Sequence, residues 1–163
     1  MTIDMAEKTS PRGAHWVDRS LDLTSLLEKR SHFLLGPRQT GKTFLIRHTL
    51  KNARVYDLLD SSLYLALSHH PGRMAQELTE EDRWVVVDEI QRLPELLNEV
   101  HRLIETRGVR FLLTGSSARK LRRGGATLLA GRVSVKHLHP LTLREQGDDF
   151  DLSRTLRYGS LPA

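Results

Sequence analysis

Cysteine is missing from all 163 residues. Its absence excludes disulfides, cysteine-ligated zinc, iron–sulfur clusters and a thiol nucleophile. Long apolar runs are missing too. The longest are short, such as Trp84-Val85-Val86-Val87 and Phe111-Leu112-Leu113, against the roughly 18 residues a membrane span needs. The N-terminal stretch MTIDMAEKTSPRG has no apolar segment of the secretory kind. These absences point to the cytoplasm and to no membrane partner. Acidic residues are missing from Thr106 to Arg144, where Arg107, Arg110, Arg119, Lys120, Arg122, Arg123, Arg132, Lys136 and Arg144 sum to +9, leaving −4 of the overall +5 to the rest. A basic region suits a polyanion, either nucleotide phosphates or nucleic acid; a solvated surface is the alternative for each residue. Aromatic residues do not interleave with these charges as they do on strand-stacking platforms, and no helix-turn-helix pattern stands out.

What is present suffices for a core. An apolar fraction of 39% with 28% charged residues rules out whole-chain disorder, and the length suits one domain. We expect residues 1–20 to be a leader and residues 21–163 to be the domain. Leucines 21, 23, 26 and 27 suggest a short helix ending near Lys29. Strands are predicted at His32–Leu35, Arg54–Leu58, Trp84–Val87, Val109–Thr114 and Arg132–Leu138. Helices are predicted at Thr43–Asn52, Ser61–Ser68, Arg73–Leu78 and Pro94–Thr106, with Gly108 as the stop signal. Continuous apolar strands alternating with helices predict a mainly parallel five-stranded sheet covered on both faces.

The strongest motif is Gly36-Pro37-Arg38-Gln39-Thr40-Gly41-Lys42-Thr43, followed by Phe44. It matches G-x-x-x-x-G-K-[ST], with a strand entering and a helix leaving. The glycines let the backbone curl so that successive N–H groups face phosphate oxygens. The helix that follows adds its positive end. Lys42 would reach the β- and γ-phosphates of ATP, and Thr43 would offer its hydroxyl to Mg²⁺. We therefore expect Gly36 through Phe44 to bind ATP or ADP.

The second motif is Trp84-Val-Val-Val-Asp88-Glu89. A buried strand ending in two carboxylates is costly unless they face a cation and solvent. Asp88 would hold Mg²⁺ directly or through water, and Glu89 would orient the attacking water. A helix cap is the alternative. A third strand ends in Thr114-Gly-Ser116. Those hydroxyls could cap a helix at Ala118–Arg122. Phosphoryl transfer often uses an arginine. Arg38, Arg119, Arg122, Arg123 and Arg132 are candidates, with Arg132 preferred; it could reach a neighbouring subunit's nucleotide or bond a local carboxylate. His137 and His139 share one side of a strand but lack a third metal ligand.

GPRQTGKT, VVVDEIQRLPELLNEVHRLIE, FLLTGSSARKL and LLAGRVSVKHLHPLTLREQ occur in that order. Together they resemble a prokaryotic AAA+-like P-loop ATPase family whose ATPase domain is usually followed by a C-terminal domain of unknown function. The resemblance implies a three-layer αβα core of the AAA+/RecA-like kind, binding and hydrolysis of ATP with Mg²⁺, the roles above for Lys42, Thr43, Asp88 and Glu89, and a polar sensor at Thr114 or Ser116. Such proteins continue beyond the segment corresponding to Tyr158–Pro162, and a helical lid is not recognisable here. Three functions follow as expectations. They are an Mg²⁺-dependent ATPase coupled to conformational change, a nucleotide switch or half-site completed by a homo-oligomer or trans-acting subunit, and a nucleic-acid-associated ATPase.

Overall fold

The computed structural model describes residues 17–116 and 129–161. In chain order the elements are α1 (Leu23–Lys29), β1 (Ser31–Leu35), α2 (Lys42–Thr49), β2 (Arg54–Asp57), α3 (Ser61–His69), α4 (Arg73–Glu77), β3 (Trp84–Asp88), α5 (Leu96–Arg107), β4 (Arg110–Gly115), β5 (Val133–His137), α6 (Leu143–Gln146) and α7 (Leu152–Tyr158). The predicted helix at Ala118–Arg122 and the candidates Arg119, Arg122 and Arg123 lie outside the described residues.

The sheet has five strands in the order β2-β3-β4-β1-β5, all parallel. Alternation along each strand divides the core in two. Phe33, Leu35, Val85, Val87, Phe111 and Leu113 face one way, onto Leu67 of α3, Met74 of α4 and Leu96, Leu97, Val100 and Leu103 of α5. Leu34, Val86 and Leu112 face the other way, onto Leu23 and Leu27 of α1 and Leu45 and Ile46 of α2. Both faces are covered, which is why these strands read as unbroken apolar runs rather than alternating ones. The result is a three-layer αβα core.

The elements start and stop for local reasons. Asp22 caps α1 by accepting from the Ser25 N–H at 3.1 Å, and Asp60 caps α3 from the Ser62 and Leu63 N–H groups. Gly108 ends α5 with φ +65°, the left-handed step glycine tolerates. The predicted boundaries shift slightly. Helix α2 begins at Lys42 and stops at Thr49, short of Asn52. Pro94 lies in the turn before α5, its carbonyl accepting from the Leu97 N–H at 3.0 Å.

Strand order positions the site. Between the phosphate-loop strand β1 and the acidic strand β3 stands β4. The end of β4 therefore lies between the two motifs.

Candidate functional site

The site forms at the edge where the parallel strands end, the place α/β sheets present to ligands. Gly36 leaves β1 with its N–H on the Gly115 carbonyl at 3.2 Å. A Cβ at Gly36 would come within 2.2 Å of the Leu138 carbonyl oxygen, so glycine is required by close backbone approach. The loop then rises through exposed Pro37, Arg38 and Gln39 to Thr40, which is fully buried. The Thr40 hydroxyl donates to the Pro37 carbonyl at 2.9 Å and ties the loop to itself. Gly41, at φ +82°, turns the chain into α2.

Lys42 is buried, and its Nζ donates to the Gly36 and Pro37 carbonyls at 2.7 and 2.8 Å. Burial lowers its pKa from the ordinary lysine value; Glu89 and Asp88 oppose that effect, while Arg38 adds to it. The Thr43 hydroxyl donates to Asp88 Oδ2 at 3.0 Å. Asp88 Oδ1 accepts from the Thr114 hydroxyl, and that hydroxyl accepts from the Glu89 N–H at 3.0 Å. Thr114 is therefore locked between the two acidic residues. Gln91 Nε2 donates to Glu89 Oε2 and, at 3.3 Å, to the Ser116 hydroxyl. Arg38, Gln39, Gly41, Lys42, Thr43, Phe44, Leu59 and Glu89 line a cleft of about 440 Å³.

Two non-glycine residues carry positive φ among the described residues, Gln39 at 64° and Glu89 at 59°. Both line this cleft. Left-handed backbone at such residues costs on the order of 1 kcal/mol or more and persists where the surroundings over-determine it. At Glu89 the hydrogen bond from its N–H to Thr114 helps to do so.

The donor set suits a hard divalent cation. Thr43 Oγ1 and Asp88 Oδ2 are adjacent oxygens at the mouth of a phosphate loop, with no soft ligand beside them.

Gly36 to Phe44, Asp88, Glu89, Thr114 and Ser116 come together at one edge. Arg132 does not. It precedes Val133, which pairs with Ser31 at the start of β1, so it sits at the opposite edge from the phosphate loop. There its Nε donates to Glu105 Oε1. The local-carboxylate alternative is the contact observed. His137 and His139 stack with ring centroids 6.0 Å apart. His139 lies past the end of β5, and no cluster of three metal-ligating side chains occurs among the described residues.

Sequence reasoning missed three contributors. Gln91 stood in the DEIQ stretch without a role. Arg19 fell inside the expected leader, yet its side chain is only 6% exposed and reaches the phosphate loop. Its partner Glu145, 126 positions away, carried no local signal.

A family model described as AAA domain matches residues 28–146. Uncharacterized proteins of Mycobacterium bovis and Mycobacterium tuberculosis are each 33% identical over 141 residues, covering 80% of this chain and 30% of theirs. The chain thus spans under a third of the length of these curated relatives. Among solved structures, the Pif1 helicase from Candida albicans is 16% identical with a TM-score of 0.48, covering 90% of this chain and 46% of that one. Drosophila ORC bound to AT-rich DNA and Cdc6 gives 15% identity and a TM-score of 0.46, covering 82% and 58%. Domain III of the Thermotoga maritima replication initiation protein DnaA gives 14% and 0.39, covering 71% and 57%.

Proposed function

The chain belongs to the AAA domain family, and on that premise we propose that Lys42, Thr43, Asp88 and Glu89 make it an Mg²⁺-dependent ATP hydrolase. It is an ATP-binding P-loop protein of the AAA+ class, and the chemistry of such proteins is positioning plus electrostatics. The observation that carries the assignment is the convergence on Asp88. One carboxylate oxygen takes the Thr43 hydroxyl and the other takes Thr114, with Glu89 the next residue along the chain.

The geometry supports the following roles. Gly36 to Phe44 cradle the phosphates. Lys42 exchanges its two carbonyl partners for phosphate oxygens, a trade favoured because a buried ammonium gains from an anion. Thr43 and Asp88 would hold Mg²⁺, which would supply positive charge against that of the phosphates. Glu89 accepts a proton from, or orients, the water that attacks the terminal phosphorus. Thr114 keeps Asp88 and the Glu89 backbone in register, and Ser116 anchors Gln91. Arg38 stands exposed beside the cleft, where a cation can meet the transferring phosphoryl group.

The test separates binding from turnover. Lys42→Ala abolishes the rise in melting temperature that Mg·ATP produces. Glu89→Gln keeps that rise and lowers phosphate release by about 10²–10⁴-fold, the usual contribution of a positioned base. Unchanged release in Glu89→Gln overturns the assignment of Glu89.

One observation favours a second reading, a nucleotide switch completed by a partner. Arg132 sits at the edge of the sheet away from the phosphate loop, so in this reading it serves the nucleotide of another copy, beside whatever Arg38 supplies in the same chain. Phosphate release that rises more than in proportion to protein concentration supports this reading; strictly proportional release removes it. Association with nucleic acid rests on the basic window alone. Its charges are divided in the fold, since Arg107 and Arg110 line a cleft together with Glu28, Glu80 and Asp82. Duplex or single-strand binding that is absent at about 50 mM salt dismisses it.

A further inference from the structure

Arg19 precedes α1 in the chain, yet its guanidinium ends on the phosphate loop. Nη1 donates to the Thr40 carbonyl at 2.7 Å, Nη2 to the His139 carbonyl at 2.6 Å, and Nε to Glu145 Oε1 at 3.1 Å. The side chains of Arg19 and Glu145 are 6% and 5% exposed. The carboxylate of Glu145 also accepts from the Ser20 N–H at 2.9 Å, the Thr142 N–H at 2.9 Å and the Thr142 hydroxyl at 3.1 Å. A buried ion pair is tolerated only when its donors and acceptors are satisfied. Here each nitrogen of the guanidinium has a partner, and the planar fork spans three segments that a lysine could not hold at once.

The contact with Thr40 has a consequence for the loop's other face. The Thr40 carbonyl and the Gly41 N–H belong to one planar trans peptide, so they point in opposite directions. Arg19 is not among the residues that line the nucleotide cleft, whereas Gly41 is. Holding the carbonyl on the Arg19 side therefore turns the Gly41 N–H toward the cleft. A positive charge on the carbonyl oxygen also polarises the peptide and makes its N–H a stronger donor to an anion.

We propose that Arg19 is a positioning residue of the phosphate site: it orients and polarises the Thr40–Gly41 peptide so that the Gly41 N–H donates to a nucleotide phosphate, and Glu145 holds the guanidinium in place for this. The inference rests on the ATP-binding reading of the loop. It assigns to residues 126 positions apart a joint part in binding a ligand that neither touches.

The experiment compares the parent chain with Lys42→Ala, Arg19→Gln, Arg19→Lys and Glu145→Gln. Mg·ATP dissociation constants are measured well below each variant's own melting temperature. Amide ¹⁵N–¹H spectra are recorded without nucleotide. Arg19→Gln should weaken Mg·ATP binding by about tenfold or more, the scale of one charge-assisted hydrogen bond. Arg19→Lys should fall between it and the parent, because an ammonium keeps the charge and loses the fork. The Gly41 cross-peak should move further in Arg19→Gln than those of Gly108 and Gly131, which lie away from the tie. Should Arg19→Gln fail to fold, Arg19→Lys and the near-isosteric Glu145→Gln carry the same comparison. Binding within twofold of the parent in the folded Arg19 variants, or a Gly41 peak that moves no more than the other two, overturns the proposal. A parent chain that binds Mg·ATP no better than Lys42→Ala overturns the ATP-binding reading instead, an outcome the Arg19 variants cannot mimic.

Discussion

The two edges of the sheet carry clefts of opposite character. Where the strands end, a cleft of about 440 Å³ gathers Lys42, Thr43, Glu89 and the glycine-rich backbone. Where the strands begin, a larger cleft of about 760 Å³ is lined by Glu28, Glu80, Asp82, Arg83, Arg107 and Arg110 among others. At this second edge several charges satisfy one another or the local backbone. Arg54 pairs with Asp82 at 3.1 Å, Arg107 donates to the Leu78 carbonyl at 3.1 Å, and Arg132 pairs with Glu105. At the first edge the polar groups converge on one space. The carboxylate of Asp88 collects hydroxyls from α2 and β4, and two non-glycine residues sit in left-handed backbone. Size alone would point to the second edge rather than to the phosphate loop. Parallel strands deliver loop amides and helix N-termini to their C-terminal edge, whereas helices return to the other edge with their carbonyl ends.

Removing one charge from each edge breaks this comparison most sharply. Lys42→Ala should abolish the Mg·ATP-dependent rise in melting temperature, while Arg110→Ala should leave it unchanged. A lost rise in Arg110→Ala would move nucleotide binding toward the larger cleft.

The next effect is steric. Gly36→Ala forces a methyl group against the Leu138 carbonyl oxygen, a backbone atom that cannot swing aside. Overpacking of this kind costs about 1–3 kcal/mol. Chemical denaturation should show that loss together with weakened Mg·ATP binding. Gly131→Ala meets no atom within 4 Å, although its φ of +80° brings backbone strain. That variant should lose stability and keep its nucleotide affinity, which separates strain from site geometry.

A smaller effect depends on pH. Burial alone would raise the pKa of Glu145. The N–H groups of Thr142 and Ser20 and the Arg19 guanidinium outweigh it and bring the carboxyl down from 4.5 to about 2. A depressed carboxylate stabilises the fold above its ordinary pKa, and the contribution is lost as pH falls from about 4.5 toward 2. Unfolding free energy in the parent should decline across that window more steeply than in Glu145→Gln. Parallel curves would show that the carboxylate is not held in this way.

The smallest effect belongs to the pair at the far edge. Arg132 and Glu105 are both substantially exposed, and exposed pairs contribute about 0–1 kcal/mol. Arg132→Ala should shift stability within that range. At high dilution, where copies do not meet, it should leave turnover unchanged. A drop in turnover confined to high protein concentration would favour an arginine supplied in trans.

Legibility from the sequence followed sequence distance. The phosphate loop, the acidic pair and the buried strands each lie within a few consecutive residues, and their chemistry demands fixed spacing. They were readable for that reason. Thr114 and Ser116 were readable as hydroxyls at a strand end, but their partners were not. Thr114 turns to Asp88 and the Glu89 N–H because β4 pairs beside β3 in a parallel register that puts Val87 opposite Leu113. Arg132 was chosen from its place before a strand, and that reasoning could not say which edge of the sheet the strand starts from. Arg19 looked like leader because its neighbours are polar, and only the folded chain brings it against Thr40.

By itself the sequence determined the local pieces. These are a left-handed step that glycine at 41 permits, an ammonium and a hydroxyl at the start of the next helix, and two carboxylates after a strand too apolar to be exposed. Covalent spacing sets the order of these groups and how near they lie along the chain. Only the tertiary structure decided the strand order, the placement of Thr114 between the two motifs, the exile of Arg132 and the Arg19–Glu145 tie behind the loop. Those depend on which faces find each other when both sides of the sheet are buried. Strand pairing and burial act between residues distant in sequence, and no spacing along the chain records them.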